Sequence, residues 1–335
     1  MSVFLGVDSG GTKTALCLLD QEGHVVAGAQ APSAYYFAEG IELVGRVLRQ
    51  GVDEVCQQAD IAPSDVDYAF FGLPGYGEAS GDVLALDAAP REVLGHERYA
   101  CDCDMVCGWA GSLGGADGIN VISGTGSMTY GERAGEGARV GGWGELFGDE
   151  GSAYWIAIRG LNAFSQMSDG RLPLGPLHAI LREELSLVGD LDLVDVVLNR
   201  WKGGRSEIAA LSRTVAKAAS AGDECSLQIL NEAAQELADM VDVTRRRLRF
   251  GPDERVPVSY SGGTFNADPV RSGFRTALET LYSGYEFREP LYSPVVGAAL
   301  YAAKLAEKPL DNDALRQLQS TQEDLDRDLL ESQSN

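Results

Sequence analysis

LGVDSGGTKTALCLLDQEGHVVA, residues 5–27, decides the fold, because INVISGTGSMTYGERAGEGARVGGWG, residues 119–144, repeats its pattern. Each segment reads as an apolar strand, a turn of glycines and hydroxyl residues, a second strand, a turn and a third strand. Consecutive strands joined by short turns predict an antiparallel sheet. The repetition predicts two similar halves with a phosphate-sized ligand between them.

The two turns, residues 8–14 and 123–127, have the composition of anion-binding loops. Adjacent glycines permit backbone conformations that other residues avoid, so consecutive N–H groups can point at one anion. Neither turn is a Walker-type loop, because the GxxxxGK[ST] spacing is absent and a strand follows each turn. A plain hairpin explains either turn alone. Two such turns, about one domain apart, favour nucleotide binding.

Charge and length narrow the function further. The chain has 335 residues, enough for two domains, and 44% of them are apolar. Lys and Arg total 27 against 50 Asp and Glu, a net charge of −23. This balance excludes nucleic acid as a partner. The negative net charge also repels ATP, so a nucleotide site has to use local backbone dipoles and a metal ion.

The sequence has no membrane signal and no obvious metal cluster. No run approaches the ~18 apolar residues of a membrane helix, and the N-terminus lacks a targeting pattern, so we expect a cytoplasmic protein with no membrane partner. The six cysteines are expected to be free thiols. Cys101, Cys103 and Cys107 do not have the spacing of a structural zinc site. The three histidines have no neighbours that suggest a catalytic triad.

Hydrophobic periodicity organises the rest of the chain into alternating helices and strands. The predicted helices are 41–59, 105–113, 153–163, two between 206 and 250, and 294–306. The predicted single strands are 67–72, 98–103 and 256–260. The first domain is expected to span 1–117, with helix 294–306 packing back on it, and the larger second domain 118–293. Residues 307–335 are expected to form a charged, mobile tail.

Taken together, these motifs resemble the actin, Hsp70 and sugar kinase superfamily, and within it the N-acetylglucosamine kinase group that includes the BadF/BadG-type ATPases. DSGGTKT resembles the first phosphate motif, SGTGS the second, and YSGGTF the adenosine motif. The most specific string is GGWGELFGDEGSAYWIA, Gly141–Ala157. The resemblance implies a duplicated ribonuclease H-like, actin-like α/β fold with two lobes around a nucleotide and sugar cleft.

The resemblance also implies a kinase mechanism with Asp104 as the catalytic base, which takes the proton from the sugar hydroxyl that attacks the γ-phosphate of ATP. Asp102 lies on the same face of its strand and could compete for this role. Only Asp104 sits at the exposed end of the strand. A purely structural alternative is that Asp104 caps the following helix.

Further residues match the ligand-binding positions of this family. Asp8 is expected to hold Mg²⁺ through water. The expected ATP-binding residues are Gly10, Gly11, Thr12, Lys13, Thr125, Gly126, Ala218, Gly262 and Gly263. The expected sugar-binding residues are Ser33, Gly75, Asp104, Gly142, Trp143, Gly144 and Asp149. In the structural alternatives, Trp143 belongs to the core and Asp149 caps the helix that follows it.

Two loops depart from the family pattern. Sugar kinases of this group commonly carry an asparagine after the third strand, whereas residues 32–36 are Pro-Ser-Ala-Tyr-Tyr. The loop at 73–78 offers Tyr76 and Glu78 where small hydroxyl residues are usual. A lost hydrogen-bond partner changes substrate discrimination. The family resemblance implies N-acetylglucosamine, but these departures bring in glucosamine as the alternative sugar. The free amine of glucosamine would suit Glu78 or Glu150.

Three functions remain open from the sequence. The first is an ATP-dependent amino sugar kinase acting at the primary 6-hydroxyl, a homodimer like the family it resembles. The second is an ATPase that activates a partner dehydratase by passing electrons from an iron–sulfur cluster. The third is a nucleotide-gated binding protein without turnover, for which Asp104 would be dispensable.

Overall fold

Two five-stranded sheets with the same strand arrangement form the framework of the structure. The structure is a computed structural model that describes residues 2–320. The first sheet has the order β3-β2-β1-β4-β5 and the second β10-β9-β6-β7-β8. The strands are β1 (Val3–Ser9), β2 (Lys13–Asp20), β3 (Val25–Pro32), β4 (Tyr68–Leu73), β5 (Tyr99–Cys103), β6 (Gly118–Ser123), β7 (Ser127–Arg133), β8 (Glu136–Gly141), β9 (Val256–Ser261) and β10 (Tyr285–Phe287).

The pairing within the two sheets is equivalent. In the first, β1 pairs antiparallel with β2 and parallel with β4, and in the second β6 pairs antiparallel with β7 and parallel with β9. Each phosphate-type turn therefore joins the central strand of its sheet to an antiparallel neighbour. This duplicated arrangement confirms the predicted ribonuclease H-like α/β fold.

Helices connect and cover the strands. They are α1 (Glu42–Gln58), α2 (Val83–Leu94), α3 (Met105–Leu113), α4 (Ala153–Ser168), α5 (Pro176–Glu184), α6 (Asp192–Val194), α7 (Arg205–Ala210), α8 (Ser212–Ser220), α9 (Glu224–Arg247), α10 (Asp268–Leu281) and α11 (Pro294–Leu305). A π-helical segment, Asp195–Arg200, continues from α6. Among residues 2–320, no helix combines the length and the apolar character needed to cross a membrane.

The described chain divides into two units, one of residues 2–116 with 289–320 and the other of residues 117–288. In the first unit, α11 packs tightly on the sheet. A Cβ atom on Gly6 would lie 2.3 Å from the backbone nitrogen of Ala299, so only glycine permits this approach. The core of this unit lies between the sheet and α1, where Leu5, Val7 and Leu48 are fully buried.

Part of the segment expected to be a mobile tail is ordered in the first unit. Residues 312–320 are helical, and Ala314 and Leu318 are buried. Leu318 joins a cluster with Tyr292 and Leu300. These apolar contacts anchor residues 312–320, which the charge-based expectation overlooked. Residues 321–335 lie outside the described residues.

Helix boundaries in the second unit differ from the sequence prediction. The region 206–250 holds three helices rather than two, because α7 ends at Ala210 and the N–H of the next residue, Leu211, bonds three residues back to Ile208. Helix α9 begins at Glu224, and the side chain of its N-cap residue, Asp223, accepts the N–H of Ser226. Helix α4 runs five residues beyond its predicted end at Ala163.

Candidate functional site

The acidic residues of the first unit meet where its parallel strands end. Asp8 on β1 is paired with Gly72 on β4, and Gly72 is paired with Asp102 on β5. Asp104 follows β5 directly and occupies the N-cap position of α3. Its carboxylate accepts no capping hydrogen bond from that helix, so capping does not account for the residue. Asp102 instead accepts the N–H of Cys103 at 2.7 Å.

Gly72 makes this arrangement possible. A Cβ atom at this position would lie 2.2 Å from Cys107 Sγ and 3.1 Å from the Cα of Asp104. Any side chain would push the start of α3, and with it Asp104, away from the strand. Sequence reasoning did not assign Gly72 a role, because the constraint comes from a helix more than thirty residues later in the chain.

Asp8 and Asp104 interact electrostatically. Burial, followed by the negative charge of Asp104, raises the pKa of Asp8 to about 7, while a hydrogen bond from Cys107 and the charge of Lys13 oppose this rise. A buried carboxylate beside a second negative charge forms a favourable place for a cation. Carboxylate oxygens are the ligands that Mg²⁺ prefers, usually one or two beside water and substrate phosphates. Among residues 2–320, no group of three or more metal-binding side chains is found.

The cysteines near this site are not arranged for surface chemistry. All six are free thiols, as predicted. Cys103 and Cys107 are buried, and burial raises the pKa of Cys107 well above its ordinary value. The thiol of Cys107 donates to the carbonyl of Val7 at 3.6 Å. Cys107 therefore acts as a packing residue under Asp8 and Asp104.

The first phosphate-type turn, residues 9–13, is closed by the N–H of Gly10 on the carbonyl of Lys13 at 2.9 Å. Gly11, Thr12 and Lys13 are exposed there. Neither Gly10 nor Gly11 has a positive φ, so this turn does not use the left-handed conformations that glycine permits. These glycines provide space instead. No atom lies within 4 Å of where a Cβ of Gly11 would be.

Two of the sugar-binding residues expected in the first unit, Ser33 and Gly75, lie beside the first turn and beside an aromatic ring, respectively. The Ser33 hydroxyl donates to the carbonyl of Gly10 at 2.8 Å, which links the segment after β3 to the first turn. Gly75 has φ +77°, and a Cβ there would lie 2.6 Å from the ring of Phe37. The Phe37 ring stacks on Tyr36 with centroids 4.6 Å apart.

Phe37 is a candidate that sequence reasoning missed. Its ring and that of Tyr35 are each 46% exposed, so both offer an apolar surface to solvent. The run Tyr-Tyr-Phe at 35–37, in place of the usual asparagine, was the available signal. Tyr76 offers no free hydroxyl, because its O–H donates to Asp87 at 2.8 Å.

The second phosphate-type turn, residues 123–127, is fixed to the start of α4. The Ser123 hydroxyl donates to the carbonyl of Gly151 at 2.9 Å, and the Ser127 hydroxyl donates to that of Glu150 at 2.6 Å. The N–H of Ala153 donates to the carbonyl of Gly124 at 2.9 Å. Thr125 is exposed at the tip of the turn. As in the first turn, Gly124 and Gly126 have no positive φ.

The adenosine-type motif contacts this second turn directly. Gly262 has φ +99°, and a Cβ atom there would lie 2.2 Å from the carbonyl oxygen of Ser123. Gly263 is exposed and has open space beside it. Ala218, by contrast, is fully buried in the core of the second unit. The structure brings Gly262 and Gly263 to the turn but not the Ala218 side chain, whose role at adenine stays a prediction.

The glycine-rich loop after β8 presents one exposed aromatic residue and one buried carboxylate from the expected sugar set. Trp143 is 69% exposed, so the alternative that it belongs to the core is wrong. Gly142 and Gly144, on either side of it, both have positive φ. Asp149 is 3% exposed. It is not the cap of α4, because Ser152 fills that position and accepts the N–H of Trp155 at 3.1 Å.

Known proteins resemble the chain over most of its length. A sequence model of the BadF/BadG/BcrA/BcrD ATPase family matches residues 5–302. The N-acetyl-D-glucosamine kinase of Dictyostelium discoideum is 29% identical over 90% of this chain and 97% of its own. The N-acetylmuramic acid/N-acetylglucosamine kinase of Clostridium acetobutylicum is 29% identical over 79% of this chain and 86% of its own. A solved structure of a candidate N-acetylglucosamine kinase from Chromobacterium violaceum superposes with a TM-score of 0.67, at 24% identity, over 91% of this chain and 99% of that one.

Proposed function

The chain belongs to the BadF/BadG/BcrA/BcrD ATPase family, and we propose that it is an ATP-dependent kinase that phosphorylates an amino sugar at its 6-hydroxyl. The observation that carries this proposal is the placement of Asp104 beside Asp8 at the carboxyl ends of three parallel strands. Ligands of α/β proteins bind at such strand ends. The relatives named for N-acetylglucosamine support an amino sugar as the acceptor.

In this proposal Asp104 is the general base. Its carboxylate accepts the proton of the sugar hydroxyl as the oxygen attacks the γ-phosphate, a role that typically contributes 10² to 10⁴ in rate. The Asp104 side chain makes no capping hydrogen bond to α3, so helix capping does not explain this residue. Asp102 is the weaker candidate, because one of its oxygens accepts the neighbouring N–H of Cys103.

The phosphates of ATP are assigned to the backbone N–H groups of the two turns, with Thr12, Lys13 and Thr125 as side-chain donors. Phosphoryl transfer depends mainly on positioning and charge neutralisation, which these groups can provide. Asp8 would hold Mg²⁺ through water, and the ion would neutralise charge on the phosphates. A cytoplasmic homodimer, as the family resemblance implies, is part of the proposal.

Acceptor recognition is assigned to apolar rings and glycine loops. The exposed indole of Trp143 offers a flat wall for a pyranose, and the rings of Tyr35 and Phe37 offer further apolar surface. We propose N-acetylglucosamine as the first acceptor, because the relatives are named for it. Glucosamine is the second, because the loop after β3 has no asparagine to bind the sugar. The dehydratase-activator alternative receives no support from Cys103 and Cys107, which are both buried.

A coupled ADP-release assay tests the proposal. The wild type, Asp104→Asn and Asp102→Asn are assayed against N-acetylglucosamine, glucosamine, N-acetylmannosamine, N-acetylmuramic acid and glucose. We expect amino-sugar-dependent ADP release that falls at least ~100-fold in Asp104→Asn, with ATP binding intact, and changes much less in Asp102→Asn. Near-normal turnover of Asp104→Asn would refute its role as the base. No activity on any sugar would refute the kinase.

A further inference from the structure

Arg205, the first residue of α7, joins two carboxylates of the glycine-rich loop. Its Nη2 lies 2.5 Å from Asp149 Oδ2, and its Nε lies 3.3 Å from Glu145 Oε2. Asp149 and Arg205 are 56 residues apart in the sequence. Nothing in the motif-based interpretation gave Arg205 a role, because no local pattern connects it to this loop.

Asp149 is the junction of this network. Besides Arg205, it accepts the backbone N–H of Ser127, in the second phosphate turn, and that of Gly144, in the loop. It also has φ +56°, a left-handed conformation that is uncommon for residues other than glycine. Burial raises the pKa of Asp149, and the positive charge of Arg205 acts against that rise. Arg205 therefore favours the ionised carboxylate that both N–H groups need.

The pair lies directly against the second phosphate turn. A Cβ atom on Gly126 would be 2.8 Å from Arg205 Nη2 and 2.8 Å from Asp149 Oδ2. Gly126 thus leaves room for the guanidinium and the carboxylate underneath the turn. Gly126 is therefore required by the packing of Asp149 and Arg205, and not only by a phosphate that would approach the turn.

The loop of residues 142–148, called here the Trp143 loop, has little apolar packing to hold it. Trp143, Leu146 and Phe147 are 69%, 87% and 75% exposed. Its position depends instead on polar contacts, including that of Arg139 Nη2 with the carbonyl of Gly142 at 2.5 Å. Exposed apolar side chains on a glycine-rich backbone would move freely without such contacts.

We propose that Arg205 is a positioning residue that fixes the Trp143 loop to the second phosphate turn through Asp149. The Trp143 loop and the second phosphate turn are then both held by the contacts of Asp149 with Arg205, which we call the anchor. Loosening the anchor disturbs both segments. This inference rests on the proposed kinase function for its kinetic consequences, but the anchor itself exists in the ligand-free protein. A direct role in neutralising phosphate suits Arg205 less well, since two of its nitrogens already face carboxylates.

Hydrogen exchange of the ligand-free protein tests the anchor without relying on activity. In Arg205→Gln, we expect the amides of Ser127 and Gly144 to exchange about tenfold faster, since a hydrogen bond to a charged group is lost from their shared acceptor. Arg200→Gln is the matched control, because Arg200 is an exposed arginine of the same unit that pairs with Asp195. Unchanged exchange at both amides in a folded Arg205→Gln would overturn the proposal.

A second variant keeps the test decisive if Arg205→Gln does not fold. Glu145→Gln removes only the outer contact, so we expect faster exchange within the Trp143 loop and little change at Ser127. Exchange rates in the Trp143 loop of Glu145→Gln that equal those of the wild type would also count against the anchor.

Kinetics then separate positioning from direct phosphate contact. Positioning predicts that Arg205→Gln raises KM for both ATP and the amino sugar about tenfold, with Arg205→Lys recovering part of the loss. A fall in kcat alone, with exchange unchanged, would identify a phosphate contact and refute positioning. If the wild type phosphorylates no amino sugar, the function proposal fails, and the exchange result still decides the anchor.

Discussion

Asp8→Asn is expected to stabilise the ligand-free protein at alkaline pH, although Asp8 is assigned to the metal site. The reason is the environment of the carboxyl group. Burial and the charge of Asp104 raise its pKa from 3.8 to about 7 in the folded protein. Asparagine has nearly the same shape and no charge, so it avoids the cost of ionising at this position.

The magnitude follows from proton linkage. The folded state holds the proton of Asp8 more tightly than the unfolded state, so its stabilising contribution is complete below pH 3.8 and is lost as the pH rises through about 7. At about 1.4 kcal/mol per pKa unit, the loss reaches at most about 4 kcal/mol by pH 8, with less than half of that already lost at pH 5. The advantage of Asp8→Asn over the wild type should therefore grow by roughly 2.5 kcal/mol between pH 5 and pH 8.

Urea unfolding with EDTA, followed by intrinsic fluorescence at several pH values, measures this difference. Trp109 reports on the same unit as Asp8, since it is fully buried in α3. Asp53→Asn is the control, because Asp53 is exposed on α1. Asp104→Asn should show a smaller gain, since Asp104 is the second cause of the raised pKa after burial. Parallel stability curves for Asp8→Asn and the wild type would refute the raised pKa of Asp8, and equal gains for Asp104→Asn and Asp53→Asn would refute the contribution of Asp104.

Two further substitutions test the remaining parts of the site. Gly262→Ala should lower the free energy of unfolding by about 2 kcal/mol or more and weaken ATP binding, because its Cβ would meet the Ser123 carbonyl at 2.2 Å in a positive-φ conformation. Gly263→Ala has open space and should be mild; equal thermal midpoints and equal ATP affinities for the two variants would contradict the account. Trp143→Ala should change stability by less than ~0.5 kcal/mol, because the residue is exposed, yet raise KM for the amino sugar several-fold through loss of the apolar wall. A KM no different from that of Phe147→Ala would remove Trp143 from the acceptor site.

The sheets could be predicted from the sequence because their hairpins are formed by residues close together in the chain. The strand-turn-strand repeat at 5–27 and 119–144 sets both central hairpins, and these are the β1–β2 and β6–β7 pairs of the structure. Asp104 was expected at the exposed end of its strand. The parallel pairing of β1, β4 and β5, which brings this strand end close to that of Asp8, comes from the structure. Helix α2 escaped prediction; it carries Pro90, a residue that normally argues against a helix.

The parts of the site that sequence reasoning missed depend on contacts between distant residues. Gly72 is required because Cys107, on α3, approaches it closely. Asp149 was expected to face the sugar, whereas its oxygens accept hydrogen bonds from Ser127, Gly144 and Arg205. Its sugar-binding role stays a prediction. Side-chain direction of this kind depends on tertiary packing, which no local pattern encodes.

The central claim is that this protein transfers the γ-phosphate of ATP to the 6-hydroxyl of an amino sugar. The most direct measurement is phosphorus NMR of the product formed by the wild type from ATP, Mg²⁺ and N-acetylglucosamine, with Asp104→Asn in parallel. We expect a phosphomonoester signal coupled to the two protons on carbon 6, formed with equal ADP and nearly absent with Asp104→Asn. The account would be contradicted if the reaction gave only ADP and inorganic phosphate when either N-acetylglucosamine or glucosamine was supplied as the acceptor.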